Sequence, residues 1–270
     1  LAYSTPVAVQ MTGTTACSSL AGKLDMHLEA AGSQLLPVIG KGQMSIVGKL
    51  LRLLGKTPVA LADADGIADG VDLVNSYLSD NPAADKLASS SGFASANQMA
   101  GAIYTDYCKL VDSRWNEISP RAEVHPYWVN RKAHEETQAK RRSAFCALFT
   151  TDDVELSKLA TDDAWTSIKA RLIALLDLLE QCGLFILRRG SIESYYLSSD
   201  QFTSIGKPSA AVSEIDSLNQ LAPQDIYAAY SDVVRCVQYA SGAEVICEAD
   251  ALRDLLLSVV APAHARFKSG

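Results

Sequence analysis

Along the first eighty residues the spacing of apolar positions changes period several times. PVAVQM (6–11), QLLPVIG (34–40) and TPVALAD (57–63) are short apolar runs bounded by turn residues, and each predicts a strand. Between them, residues 16–31 and MSIVGKLLRLL (44–54) space their apolar positions as helices do, although Gly22 weakens the first. VDLVNSYL predicts a further helix after Asp69-Gly70. Strands alternating with helices imply right-handed β-α-β units and a parallel sheet with covered faces. Residues 79–99, rich in Ser, Ala and Asn, read as a surface loop or hinge. From about 100 to 181 only the helical period recurs: Thr161-Asp162-Asp163 form an N-cap region, followed by Trp165, Ile168, Leu172, Leu175, Leu176 and Leu179 on one face. GLFILRRG (183–190) restores strand character between two glycines. Two or three helices close the chain, one opening at Pro223 and one covering roughly 244–260. The expected organisation is an α/β core begun by 1–80, interrupted by a hinge and helical insertion over 81–181, completed by a last strand and acidic motif over 182–207, and followed by helices over 208–270.

Composition narrows the class without choosing a function. Hydrophobic content of 48% and charged content of 20% are those of an ordinary globular chain, and 270 residues suffice for one large or two small domains. No apolar run approaches the roughly 18 residues that span a bilayer, so no membrane partner is expected. The chain begins at Leu1 with no basic-then-apolar leader and reads as a fragment or a processed form. Six cysteines without C-x-x-C spacing suggest reduced, buried thiols in a cytoplasmic protein and argue against zinc. The net charge of −7 argues against a general nucleic-acid coat, yet is compatible with a nuclease whose carboxylates a bound metal neutralises.

The candidate chemistry gathers at strand ends. VALADADG (59–66) closes an apolar strand on Asp63 and Asp65, which at i and i+2 point the same way and can reach one hard cation such as Mg²⁺. Ligands of α/β sheets bind outside the carboxyl ends of strands. A helix cap at Asp65 and a turn at Asp63 explain the same residues, and spacing alone leaves both readings open. Asp69 and Asp72 add negative charge nearby. In LRRGSIESYY, Glu193 follows the last strand and can reach the same rim, or can be an exposed glutamate of a first helical turn; Tyr195 and Tyr196 read as packing residues. Lys41, in the glycine-flexed IGKGQ, can approach a phosphate, although the spacing is not that of a Walker A loop. RKAHEETQAKRR (131–142) holds five basic residues in twelve, and its Arg131–Glu135 and Glu136–Lys140 spacings favour a solvated helix face over a phosphate-contacting patch. Four dispersed histidines and the lack of a G-x-S-x-G elbow give no support to zincin or serine-nucleophile hydrolysis.

In order and approximate spacing, VAVQMTGTTA, PVIGKGQM, VALADADGIADG and LFILRRGSIESYY with Lys207-Pro208 resemble the TOPRIM domain of the OLD (overcoming lysogenization defect) family nucleases. The resemblance implies a TOPRIM-like parallel-rich sheet and metal-dependent cleavage of DNA phosphodiesters. It assigns Asp63, Asp65 and Glu193 to Mg²⁺ or Mn²⁺, with two metals if the first motif works. Lys207 would steady the scissile phosphate, with Lys41, Arg188 and Arg189 on the phosphate side. An ABC-type ATPase domain or subunit is the implied partner, and a homodimer is left open. The first strand departs from the family pattern. Thr12 and Ala16 stand where a glutamate and an aspartate are expected, and Gln10 is the nearest stand-in. A catalytically degenerate module for DNA binding or assembly is therefore the alternative.

Overall fold

The computed structural model describes residues 5–10, 13–38, 40–197 and 207–242. Strands β1 (Thr5–Gln10), β2 (Ser33–Val38), β3 (Val59–Ala62) and β4 (Leu184–Ile186) form a parallel sheet in the order β2-β1-β3-β4. Helix α1 (Gly13–Lys23) returns the chain from β1 to β2, and α2 (Lys41–Leu53) returns it from β2 to β3. Beyond β3 come the single turn α3 (Asp65–Ala68), α4 (Asp72–Leu78) and α5 (Pro82–Ser90). The insertion contains α6 (Ala96–Ala122), α7 (Pro126–Val129), α8 (Glu136–Thr150), α9 (Asp153–Ser157) and α10 (Ala164–Gln181), which delivers the chain to β4. Helices α11 (Lys207–Gln220), α12 (Pro223–Ala229) and α13 (Ser231–Ala240) follow.

The chain is thus an α/β protein in which helix outweighs strand. A parallel sheet is stable when both faces are covered, and the alternation of β3 divides its side chains between two cores. Ala60 and Ala62 face a core with Met44, Tyr77, Trp165 and Ile186, built from α2, α4 and the insertion. Val59 and Leu61 face a second core with Leu20, Phe185, Val233 and Val237, built from α1 and the last helices. All four residues of β3 are buried, as its unbroken apolar run requires.

Several boundaries differ from the sequence pattern. The first helix begins at Gly13 and ends at Lys23, well before residue 31, and Asp25 takes a left-handed φ of 57° just beyond it. The presumed loop over 79–99 contains α5, whose cap is Asn81: its side-chain oxygen accepts from the Ala83 and Ala84 N–H groups. The buried positions of α5, Ala84 and Ala88, are small, so they left no strong apolar period. The expected helix over 244–260 lies outside the described residues. Among the described residues, Cys17, Cys108, Cys146, Cys182 and Cys236 are free thiols, and no helix is long and apolar enough to cross a membrane.

Candidate functional site

Strand order reverses between β1 and β3, because β1 is followed by β2 on one side while β3 and β4 lie on the other. Such a switch point leaves a crevice at the carboxyl ends of the strands. The residues that emerge there after β3 are Asp63, half-buried, and Asp65, the first residue of α3. Gly40, with a φ of 77° that favours glycine, turns the chain from β2 and sets Lys41 as the first residue of α2. The Lys41 ammonium donates to the Asp65 carbonyl at 3.0 Å, lies 3.4 Å from Asp65 Oδ2 and is hydrogen-bonded to Asp69 Oδ2. Arg142, from α8, grips Asp69 with both arms: Nε to Oδ1 at 2.7 Å and Nη2 to Oδ2 at 2.5 Å. The insertion therefore contributes directly to this edge of the core.

Burial acts on the two carboxylates with different outcomes. For Asp65, desolvation is the largest influence and holds the pKa above its ordinary value despite Lys41. For Asp69, desolvation also pushes upward, but the Arg142 and Lys41 hydrogen bonds outweigh it and the pKa falls below the usual carboxylate range. Among the described residues, Asp65 Oδ1 is shut from solvent and accepts no hydrogen bond. A pocket of about 290 Å³ opens beside the cluster, lined by Lys41, Ser45, Asp65, Asp69 and Asp72. Tyr127, on α7, borders the aspartates: burial raises its hydroxyl pKa well above ordinary, and the charges of Asp63 and Asp65 add to the effect. The phenol is accordingly held neutral.

The end of β4 joins the same rim through the backbone, as the Ala64 N–H donates to the Gly190 carbonyl at 2.8 Å. Gly190 adopts a φ of 121°, and a Cβ there would sit 2.9 Å from His125 Cε1. His125 Nδ1 accepts from the Tyr127 N–H at 3.2 Å, so Nε2 carries the proton and donates to the Arg189 carbonyl at 3.0 Å. Burial lowers the pKa of this imidazole.

The remaining sequence candidates are dispersed. Glu193 is 3% exposed within a 3-10 turn at Ile192–Tyr195, deeper than a solvated first-turn glutamate would be. After burial itself, its charge is the next cause raising the Tyr196 pKa, on the side of the second core. Tyr195 and Tyr196 are both buried, as packing residues are. Arg188 lies in an interior ion cluster, 3.1 Å from Glu180 and 3.7 Å from Asp232. Arg189 donates to the Ala229 carbonyl at 3.1 Å and stacks over the Tyr195 ring. Lys207 opens α11. Ala16 is buried against Cys17 and Leu20 on the inner side of α1, while Thr12 lies outside the described residues. In the basic stretch, Glu136 and Lys140 pair at 2.8 Å, Arg141 pairs with Asp112 at 2.7 Å, and Arg131 stacks on Trp128.

No family model, curated protein or solved structure matches this chain. Its chemistry rests on the geometry of this edge. Among the described residues, no three Asp, Glu, His or Cys side chains converge as a metal-holding group. Mg²⁺ nevertheless uses one or two carboxylates with water and substrate phosphate completing its shell. Among the described residues, Asp65 Oδ1 accepts no hydrogen bond, so Asp65 could offer one oxygen to such a limited donor set. Arg142, Tyr127 and His125 escaped the sequence patterns. The only signal for Arg142 was its place in a basic run, and nothing local linked that run to Asp69.

Proposed function

We propose that this chain is a TOPRIM-like, metal-dependent DNA nuclease domain of the OLD type, working with an ATPase domain or subunit. The observation that carries the reading is the contact of Asp65 with Lys41 of the Gly40-Lys41 turn at the sheet's switch point, with Asp63 following the end of β3. Asp63 and Asp65 would hold Mg²⁺ or Mn²⁺, and Asp65 Oδ1 is the oxygen without a competing hydrogen bond. The bound ion would supply Lewis-acid polarisation of the phosphoryl oxygen and a more acidic water. Lys41, whose side chain is 34% exposed on a flexible stem, can exchange Asp65 for a phosphate oxygen. Arg142 keeps Asp69 ionised, and the neutral Tyr127 borders the aspartates. Purified protein should nick plasmid DNA in Mg²⁺ or Mn²⁺, and Asp63→Ala should reduce nicking to background. Cleavage that persists in Asp63→Ala overturns the assignment.

A specific observation favours the second reading, a degenerate module for DNA binding or assembly. Lys41 and Arg142 already bring two positive charges to Asp65 and Asp69, and apolar packing holds Ala16 where the family carries an acid. Calorimetric titration separates the two. Mn²⁺ binding that disappears in Asp65→Ala supports the nuclease, whereas no binding at millimolar metal supports the scaffold.

A further inference from the structure

Helix α7 is a single turn that keeps its large side chains near the surface. His125 caps it, with Nδ1 accepting from the Tyr127 N–H, and Pro126 sets the first helical position. Tyr127, Trp128 and Val129 follow, all bulky, yet no residue of the helix is buried. Tyr127 packs against the first core, whereas Trp128, half-buried, belongs to neither core among the described residues.

Trp128 instead meets Trp115 of α6, with ring centres 5.0 Å apart and planes tilted by 37°. Helix α6 departs from helical geometry at Arg114 (φ −127°, ψ 28°), directly before that tryptophan. Arg131 lays its guanidinium 3.6 Å from the centre of the Trp128 ring, and its Nη1–H donates to the Trp128 carbonyl at 2.7 Å. Lys140 of α8 brings its ammonium to 5.7 Å from the Trp115 ring. Two indoles and two cations thus share one surface cluster, and Lys132 is exposed beside Arg131. Residues 131–142 carry five basic groups against Glu135 and Glu136, in a chain whose net charge is −7.

This chemistry suits a ligand that has both a flat face and negative charge. An unpaired nucleotide has both: its base stacks on an aromatic ring or a guanidinium plane, and its phosphate meets the cations. An intact duplex turns its base faces inward, and an acidic peptide matches the charges but not the rings. The position of the cluster is also informative. Tyr127, adjacent to Trp128, lies within the influence of the Asp63 and Asp65 charges. Arg142, which grips Asp69, has its guanidinium 5.8 Å from the Tyr127 ring centre. Helix α7 therefore joins the indole cluster to the acidic rim.

We propose that Trp115, Trp128 and Arg131 form a stacking platform for single-stranded DNA, with Lys132 on its phosphates, and that the strand passes along α7 to the Asp63–Asp65 rim. The inference rests on the nuclease reading for the identity of the polymer and deepens it, since the segment held beside the rim is single-stranded.

Binding by the full chain in EDTA tests the platform apart from any cleavage. The probe is a fluorescent oligodeoxythymidylate about a dozen nucleotides long, within the range of single-strand sites. The wild type should bind it with quenching of tryptophan fluorescence. Trp128→Ala should weaken binding by about tenfold, the scale of one lost base stack, and Trp128→Phe should stay within about threefold of the wild type. An unchanged far-ultraviolet spectrum confirms that both variants are folded, as expected for a helix with no buried residue. Four results overturn the proposal: no binding of the oligonucleotide, equal binding by Trp128→Ala, equally tight binding of a duplex of the same length, or displacement by polyglutamate as effective as by unlabelled oligonucleotide. If plasmid nicking fails while binding that depends on Trp128 persists, the nuclease reading falls and the platform stands. Nicking without such binding removes the platform alone.

Discussion

Asp65 and Asp69 lie one helical turn apart beside the same lysine, yet their protons are held differently. Asp69 has a folded pKa below its unfolded value, because Arg142 and Lys41 outweigh desolvation. Its stabilising contribution is therefore present above the unfolded pKa and is lost as pH falls through the folded one. Asp65 has a raised pKa, so its contribution runs the other way: present below the unfolded value and lost as pH rises through the folded one. Asp69→Asn should consequently lower stability by about 2 kcal/mol at neutral pH, the scale of a charge-assisted hydrogen bond. Urea unfolding in a pH series should show that gap close as acid protonates wild-type Asp69, and a gap constant down to the acid end would refute the ionised pair. Asp63 and Asp65 were legible as acids at a strand end, but the alternation expected to align them stops at Ala62: Ala64 is already helical, with φ −55° and ψ −26°, and Asp65 opens α3. The grip of Arg142 was not legible, because 73 residues and four helices separate it from Asp69.

Among the elements, α10 shows why some helices announce themselves. Its large apolar side chains recur at three and four residues, and Trp165, Ile168, Leu172, Leu175, Leu176 and Leu179 are all buried. Trp165 also donates its indole N–H to Glu117 at 2.8 Å, tying α10 to α6. Trp165→Ala should cost about 3–5 kcal/mol, as a large void in a packed core does, read from the urea midpoint at unchanged slope. A loss within 1 kcal/mol would contradict its place in the core. Helix α5 was silent because alanines fill its buried face. Helix α8 was legible only as a charged stretch: every residue from Ser143 to Leu148 is buried, so its second half has neighbours on nearly all sides and no single apolar face. Periodicity reports a helix with one wet side and fails for one buried all round.

At the scale of the whole molecule, one core runs from the sheet into the insertion, with Met44, Ala60, Ala62 and Ile186 in the same cluster as Tyr107, Phe145 and Trp165. The insertion is accordingly no appendage. All three tryptophans, Trp115, Trp128 and Trp165, lie in it, whereas far-ultraviolet circular dichroism reports helices throughout. The two signals should follow one coincident urea transition, as a shared core demands. Fluorescence that unfolds separately would divide the chain into independent units.

Local pattern determined the alternation of strand and helix, the parallel sense of the sheet, the helical insertion and the two aspartates at a strand end. Those features depend on repeats of two or three to four residues and on chain connectivity, all of which are written in a single segment. Strand order, the burial of Glu193 and the capture of Asp69 by Arg142 were decided only by tertiary packing. Each depends on which distant segments meet and on how much water they exclude, and no local spacing encodes either.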